Sequence, residues 1–305
     1  MIQAAMSRID QLSRKLHGLH ADAKRLNPDA IHELRVSSRR LRSAISLFRQ
    51  LLPKSSRRPA CATLKKLTGI LGRPREWDVH AAQIDRLASS VTEDAEHAAL
   101  EYVRTHVDKK RRRAGRRLQR DLQKFDAQAL DGILARLAGH RRLPGTSLAE
   151  LVWPELETRA RAALDPLPAL LAEENPAGLH HQRIAVKKLR YLLENLQHGQ
   201  LLDTAPITEQ LKRLQEVLGL YHDLDLLIAL LDKNADRLGD AHCDVLSRGC
   251  FAAAERARLE RRAAYAAFQR LAPALDCAGL LRFLRRALGL ELPAPYPTLA
   301  GAGGG

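Results

Sequence analysis

Apolar residues recur every three or four positions along almost the whole chain, which is the spacing of one face of an α-helix. No segment of strand length alternates apolar and polar residues, so the pattern predicts an all-α protein. Residues 53–59, PKSSRRP, are predicted to form a loop. The predicted helices cover about 2–26, 28–52, 64–71, 77–88, 93–124, 130–137, 148–173, 177–198, 205–218, 223–236, 240–272 and 278–288.

Two stretches depart from the helical pattern and suggest a domain boundary and a disordered tail. Pro144-Gly145 is followed by Ser147 and Glu150, the spacing of a capping box that opens a helix. This predicts a boundary between residues 1–145 and 146–290. Residues 291–305 are rich in Pro, Gly and Ala and cannot bury a core, so we expect a disordered tail.

The stretch 27–52 is predicted to be a helix with two different faces. Successive residues are rotated by about 100°, which gathers Leu34, Leu41, Ile45, Phe48 and Leu52 on one side. The other side carries His32, Arg35, Arg39 and Arg42. Like charges at positions i and i+4 are mutually unfavourable. A basic face is often only solvated, but this one has no acidic partner and suggests an absent anionic ligand.

The same two-faced stretch returns 148 residues later, beginning at Asn175-Pro176. His180, Arg183, Lys187 and Arg190 repeat the positions of His32, Arg35, Arg39 and Arg42. A second segment, LKKLTGILG at Leu64, returns as LKRLQEVLG at Leu211. Packing alone does not explain why both faces are duplicated. We therefore predict two tandem pseudo-symmetric helical-bundle halves and an anion-binding role for the basic faces.

The charge of the chain favours a polyanionic partner and is unevenly distributed. The chain has 50 Lys and Arg against 35 Asp and Glu, a formal net charge of +15. Residues 1–145 hold 31 Lys and Arg against 15 Asp and Glu, and so carry all of the excess. We expect the first half to dominate binding. A nucleic-acid-binding protein would have a similar charge, but aromatic residues, which stack on bases, are only 4% of the chain.

The remaining composition predicts a cytoplasmic protein without a metal or cofactor. The four cysteines have no zinc-like spacing, so we interpret them as reduced core thiols. No run of 18 apolar residues is present, so no membrane partner is expected. The candidate anion-binding residues are His32, Arg35, Arg39, Arg40, Arg42, Lys66, Arg73, Arg112, Arg116, Arg120, His180, Arg183, Lys187, Lys188, Arg190 and Arg213.

The duplicated motifs resemble the CHAD family of α-helical histidine domains over about residues 1–290. They read H-x-x-R-x-x-x-R-R-L-R at His32 and H-x-x-R-x-x-x-K-K-L-R at His180, each followed by L-K-x-L-x-x-x-L-G. The family's following Arg-Asp-x-Asp-Val-like run is occupied by REWDV and HDLDL, with departures at Glu76, His222 and Leu226. The resemblance implies two similar bundle-like halves, with basic residues lining a surface or pore that binds inorganic polyphosphate.

Three roles remain open for His32 and His180: phosphate contact, orientation of neighbours by hydrogen bonding, or metal ligation. We expect non-catalytic polyphosphate binding, with association with polyphosphate granules implied by that ligand. A scaffold that recruits partners to such bodies is a further alternative. ELETR at Glu155 is close to the E-x-E-x-K motif of triphosphate-hydrolysing domains, but it lies in a helical pattern and lacks the final Lys. We interpret it as coincidence.

Overall fold

The computed structural model describes residues 2–139 and 147–290, and these residues form helices without any β-strand. The all-α prediction is therefore confirmed. A short 3-10 helix, Ala272–Ala274, precedes the last α-helix. The α-helices are α1 (Ile2–Lys24), α2 (Pro28–Leu47), α3 (Lys54–Ile70), α4 (Arg73–Ala88), α5 (Asp94–Gln123), α6 (Ala127–Gly139), α7 (Leu148–Leu164), α8 (Leu167–Ala172), α9 (Pro176–His198), α10 (Ala205–Asp240), α11 (Asp244–Leu271) and α12 (Cys277–Ala287).

Three predicted boundaries are wrong because proline or glycine was weighed incorrectly, and α2 also ends at Leu47, whereas the predicted helix continued to residue 52. The predicted loop 53–59 is the start of α3, and Pro59 lies inside this helix. Its missing N–H leaves the carbonyl of Ser55 free, but Ser55 is exposed and can bond to water. The predicted helix 148–173 is broken at Pro166, which cannot donate to the preceding turn.

The third wrong boundary lies within α10, where one helix of 36 residues replaces the predicted pair 205–218 and 223–236. Gly219 costs about 1 kcal/mol in a helix interior. The buried positions Leu218, Tyr221 and Leu224 continue across it. Apolar packing on both sides therefore outweighs the cost of a single glycine.

The apolar core consists of two clusters that do not follow the predicted halves. The larger cluster joins residues of α1, α2 and α3 to residues of α7, α9 and α12. The smaller joins α4 and α5 to α10 and α11. Both clusters thus combine residues from before 145 and after 146. The predicted boundary at Pro144-Gly145 and the tail 291–305 lie outside the described residues.

The two basic helices begin in the same way. Asn27 Oδ1 accepts a hydrogen bond from the Ala30 N–H at 3.0 Å, and Asn175 Oδ1 accepts one from the Gly178 N–H at 2.9 Å. Each is followed by Pro at the first helical position, as predicted. The capping box of Ser147 and Glu150 at the start of α7 is also confirmed.

α2 and α9 pack against each other, and α7 packs against both. The carbonyl of Arg40 in α2 accepts a hydrogen bond from Asn195 Nδ2 in α9 at 3.3 Å. Leu34, Leu41 and Leu189 are fully buried, so the apolar faces of both helices meet the large core. Within the described ranges, no helix is long and apolar enough to cross a membrane.

Candidate anion-binding site

The basic faces of α2 and α9 line the same cavity, which has a volume of about 260 Å³. Arg39 and Arg42 come from α2, Lys187 and Lys188 from α9, and Arg159 from α7. Residues 148 positions apart in the chain are therefore placed on opposite walls of one opening. The cavity thus brings together Arg39 and Arg42 of the first predicted ladder and Lys187 of the second.

Burial and neighbouring positive charges together change the acidity of residues at this site. Burial, together with Arg39, Arg183 and Arg35, lowers the pKa of Lys187 to about 7. Burial, then Arg39 and Arg75, lowers the pKa of Arg35 to about 10. Each shift records the cost of holding one more positive charge there. A bound anion would remove that cost.

Five of these cations have no carboxylate to neutralise them. In the described part of the chain, no ion pair within 4.0 Å involves any of them, whereas arginines elsewhere pair repeatedly. Arg35 Nε and the Ser43 hydroxyl are also buried without a hydrogen-bond partner, a state that is costly without a ligand or water. We refer to these five residues as the cationic cleft: Arg39, Arg42, Lys187 and Lys188, which line the cavity, and Arg35, which precedes Arg39 by one turn of α2.

Two predicted site residues, Arg40 and Arg190, are engaged in the packing of α2 on α9. Arg40 Nε donates to Glu194 Oε2 at 3.2 Å, and Arg190 pairs with the other oxygen of the same carboxylate. Glu194 is buried, so it needs both partners. Arg190 also donates to Gln215 Oε1 at 3.0 Å. One carboxylate thus holds both guanidinium groups in the packing and offsets one of their two positive charges.

The predicted histidines differ in position. His32 is exposed, whereas His180 is half-buried with its Nδ1 3.1 Å from Nδ1 of His222. Only one of these nitrogens can carry the shared proton. Burial, followed by Arg183 and His180, lowers the pKa of His222 to about 4, and burial and Arg183 lower the pKa of His180. His222 was noted in the sequence only as a departure from a motif.

Arg183 stands at the same end of α9 as this histidine pair. Its guanidinium is 4.0 Å from a carboxylate oxygen of Asp223, which is a long, weak ion pair. Burial raises the pKa of Asp223, against the opposing effect of Arg183. Arg183 is therefore partly compensated, in contrast to Arg35 on α2. Among the described residues, no three His, Cys, Asp or Glu side chains are grouped as a metal site requires.

The remaining candidates do not line the cavity between α2 and α9. Lys66 on α3 is exposed, and Arg213 on α10 lies 3.6 Å from Glu209. Arg73 begins α4, and its side chain is outside the described structure. The ladder on α5 is exposed throughout, and two of its members line a separate surface depression. That ladder consists of Arg112, Arg116 and Arg120.

Sequence reasoning missed Arg159, which lines the cavity from α7. It belongs to the ELETR segment, whose first residue, Glu155, is buried and accepts hydrogen bonds from Ser46, Arg49 and Arg159. A buried carboxylate with three donors is part of the packing of α7 on α2. A signal was present, since Glu155 and Arg159 are spaced i, i+4 in a helical pattern.

The cysteines are free, as predicted, but they are not all core residues. Cys250 is buried, Cys61 and Cys277 are half-buried, and Cys243 is exposed. Cys61 lines the cavity beside Arg42, and burial raises the pKa of its thiol. It is therefore a poor nucleophile at neutral pH.

Comparison with known proteins agrees with this architecture. The chain is 19% identical to PptA from Streptomyces chartreusis, with a TM-score of 0.66 over 88% of this chain and 98% of that structure. It is 20% identical to the CHAD domain from the plant Ricinus communis, with a TM-score of 0.55 over 95% of this chain and 92% of that one. No curated protein matches the chain. A sequence model of the CHAD domain matches residues 3–232, and the chain therefore belongs to the CHAD domain family.

Proposed function

We propose that this protein binds inorganic polyphosphate in the cationic cleft, without catalysing its breakdown. The observation that supports this most directly is the group of five cations without a carboxylate partner in the described structure. Membership of a polyphosphate-related family points to the same ligand. A fold that leaves this much charge uncompensated is less stable than it would otherwise be, which is typical of binding sites.

The arrangement of the cations favours a linear polyanion over a single phosphate ion. Arg35, Arg39 and Arg42 follow one another along α2 over about 10 Å of helix, and Lys187 and Lys188 provide the opposite wall. Several linked phosphates can be contacted at once, which raises affinity through effective concentration. The duplicated sequence motif places similar residues on both walls, as two copies of one binding element would.

The cleft offers little to a nucleic-acid base. The one aromatic residue among the residues lining its cavity is Tyr191, which is buried and has the Arg190 guanidinium 4.9 Å above its ring. Base recognition in single strands relies on exposed aromatic platforms. Phosphate contacts alone would not distinguish a nucleic acid from another linear polyanion, so polyphosphate is the simpler ligand.

Long-chain polyphosphate should bind with an affinity that falls steeply with salt, because each contacted phosphate releases counterions on binding. Five contacts predict a slope of about −3 to −4 in a plot of log affinity against log salt, taking roughly 0.7 per phosphate. Titration at four salt concentrations measures this slope. At fixed salt, long-chain polyphosphate should displace duplex DNA and tRNA. Stronger binding of either nucleic acid, or equal affinity for orthophosphate and polymer, would contradict the proposal.

Catalysis should be absent. Among the described residues that line its cavity there are cations and hydroxyls but no carboxylate, and the neighbouring Glu155 already accepts three hydrogen bonds. We expect polyphosphate and nucleoside triphosphates to keep their chain lengths after incubation with and without Mg²⁺ or Mn²⁺. Gel electrophoresis and phosphate release measure this. Turnover that persists through repurification, and is lost on substitution of a cleft residue, would identify an enzyme.

A further inference from the structure

One end of the cationic cleft is completed by a helix that carries neither copy of the repeated motif. Arg159 of α7 lines the cavity together with Arg42 and Lys188. Burial, followed by the positive charges of Arg159 and Arg42, lowers the pKa of Lys188. The three cations are therefore close enough to influence one another, although they lie on three different helices.

The guanidinium of Arg159 is held in place on one edge. Arg159 Nε donates to Glu155 Oε1 at 2.9 Å, and the ion pair lies one helical turn along α7. Glu155 is fixed in turn, because its side chain is only 7% exposed and it also accepts from Ser46 Oγ at 2.7 Å and from Arg49. No bond in the described structure uses the terminal nitrogens of Arg159.

We propose that Arg159, Arg42 and Lys188 form a distinct subsite for one phosphoryl group at the α7 end of the cleft. Arg159 is a binding residue there, with its terminal nitrogens donating to two oxygens of the same phosphoryl group. An arginine anchored through Nε presents the remaining edge of its planar fork in the geometry that suits such bidentate contact. This inference rests on the proposed function and extends it to a third helix.

The subsite accounts for a feature that the repeat does not. The two basic helices already place two positive charges, Arg42 and Lys188, at this end of the cavity. Arg159 adds a third positive charge where electrostatics already disfavours two. Arg159 is paired with Glu155 through Nε, whereas Arg42 and Lys188 have no carboxylate partner in the described structure. This excess of positive charge again indicates an anionic occupant.

The test compares Arg159→Gln with Arg161→Gln, using long-chain polyphosphate as the probe. Both positions are arginines on α7 that pair with a glutamate four residues earlier. Arg161 does not line the cavity. We expect Arg159→Gln to weaken binding about tenfold and to reduce the salt slope by roughly 0.7. Arg161→Gln should leave both quantities at the wild-type values.

A third variant, Arg159→Lys, keeps the charge and can keep the pair with Glu155. Binding should weaken about threefold with an unchanged salt slope, because the ammonium retains the charge but not the bidentate contact. Thermal unfolding checks the folding of each variant. Wild-type affinity in both Arg159 variants, or equal losses at Arg159 and Arg161, would overturn the subsite. Failure of the wild-type protein to bind polyphosphate would instead refute the proposed function.

Discussion

Replacing Arg35, Arg39 and Arg42 together by glutamine should weaken the binding of long-chain polyphosphate about a thousandfold or more. A hydrogen bond to a charged group contributes roughly 1.5 kcal/mol or more, and three are removed. None of the three arginines has a carboxylate partner in the described structure. The variant should fold, and its melting temperature should equal or exceed that of the wild type, since crowding of like charges is relieved. Titration and thermal unfolding measure the two effects.

The matched control removes the same number of charges from another surface. Arg112, Arg116 and Arg120 are exposed on α5 and do not line the cleft. Their triple substitution by glutamine should weaken binding only through the long-range field, by less than about tenfold at physiological salt, where screening extends over about 8 Å. Equal losses in the two triples would show that net charge, and not the cleft, binds the polymer.

The corresponding triple on α9 should give a smaller loss of affinity and a larger loss of stability. Arg190 is bound to buried Glu194, and Arg183 lies near Asp223. Removing Arg190 leaves Glu194 with Arg40 alone, which costs about 1–3 kcal/mol. We still expect the first half to dominate polyphosphate binding, but the reason is no longer its excess of Lys and Arg. Arg35, Arg39 and Arg42 have no carboxylate partner in the described structure, whereas Lys66 and the α5 ladder do not line the cavity. A greater affinity loss from a folded α9 triple would contradict this asymmetry.

Polyphosphate binding should weaken as the pH rises above about 7, because Lys187 must take up a proton when the polymer binds. The pKa of Lys187 is lowered to about 7 in the free protein, and a bound polyanion raises it. Below pH 7 the lysine is already charged and contributes no pH dependence. Between about pH 7 and 9 the affinity should fall, with a limit of tenfold per pH unit for one proton.

Lys187→Arg provides the control, since arginine stays charged throughout this range. Calorimetry at pH 8 in two buffers of different ionisation enthalpy should show uptake of nearly one proton by the wild type and much less by the variant. Lys188, whose pKa is also lowered by burial, Arg159 and Arg42, is present in both proteins, so its contribution cancels in the comparison. The histidines near Lys187 have pKa values lowered by burial and neighbouring cations, so they respond at more acidic pH. Equal proton uptake in both proteins would show that a group other than Lys187 takes up the proton.

Several features of the site followed directly from the sequence. The two faces of α2 and α9 depend on the helical period, and their starts depend on Asn27 and Asn175 with the prolines that follow. Such signals involve residues within four positions of one another, so they are visible without the fold. The duplication of the His-Arg ladder was also visible, because two stretches of sequence can be compared without knowing their contacts. It led to the family.

Other features depended on contacts that no short pattern reveals. Gly219 looked like a helix end until α10 was seen to continue through its buried neighbours, and Pro59 looked like a loop residue until Ser55 was found on the exposed side. In both cases tertiary packing or solvent exposure outweighed a local preference of about 1–3 kcal/mol. The mixed cores likewise depend on pairs of helices far apart in the chain.

The sequence by itself determined that this chain is helical, that it carries two basic ladders, and that it belongs among CHAD domains. Only the tertiary structure decided which cations act together. It placed Arg39 near Lys187, brought Arg159 to the same cavity, and left the α5 ladder elsewhere. It also engaged Arg40 and Arg190 with the single carboxylate of Glu194. The physical reason is that the residue type fixes the charge of a side chain, whereas the opposite charge that compensates it can come from a residue about 150 positions away.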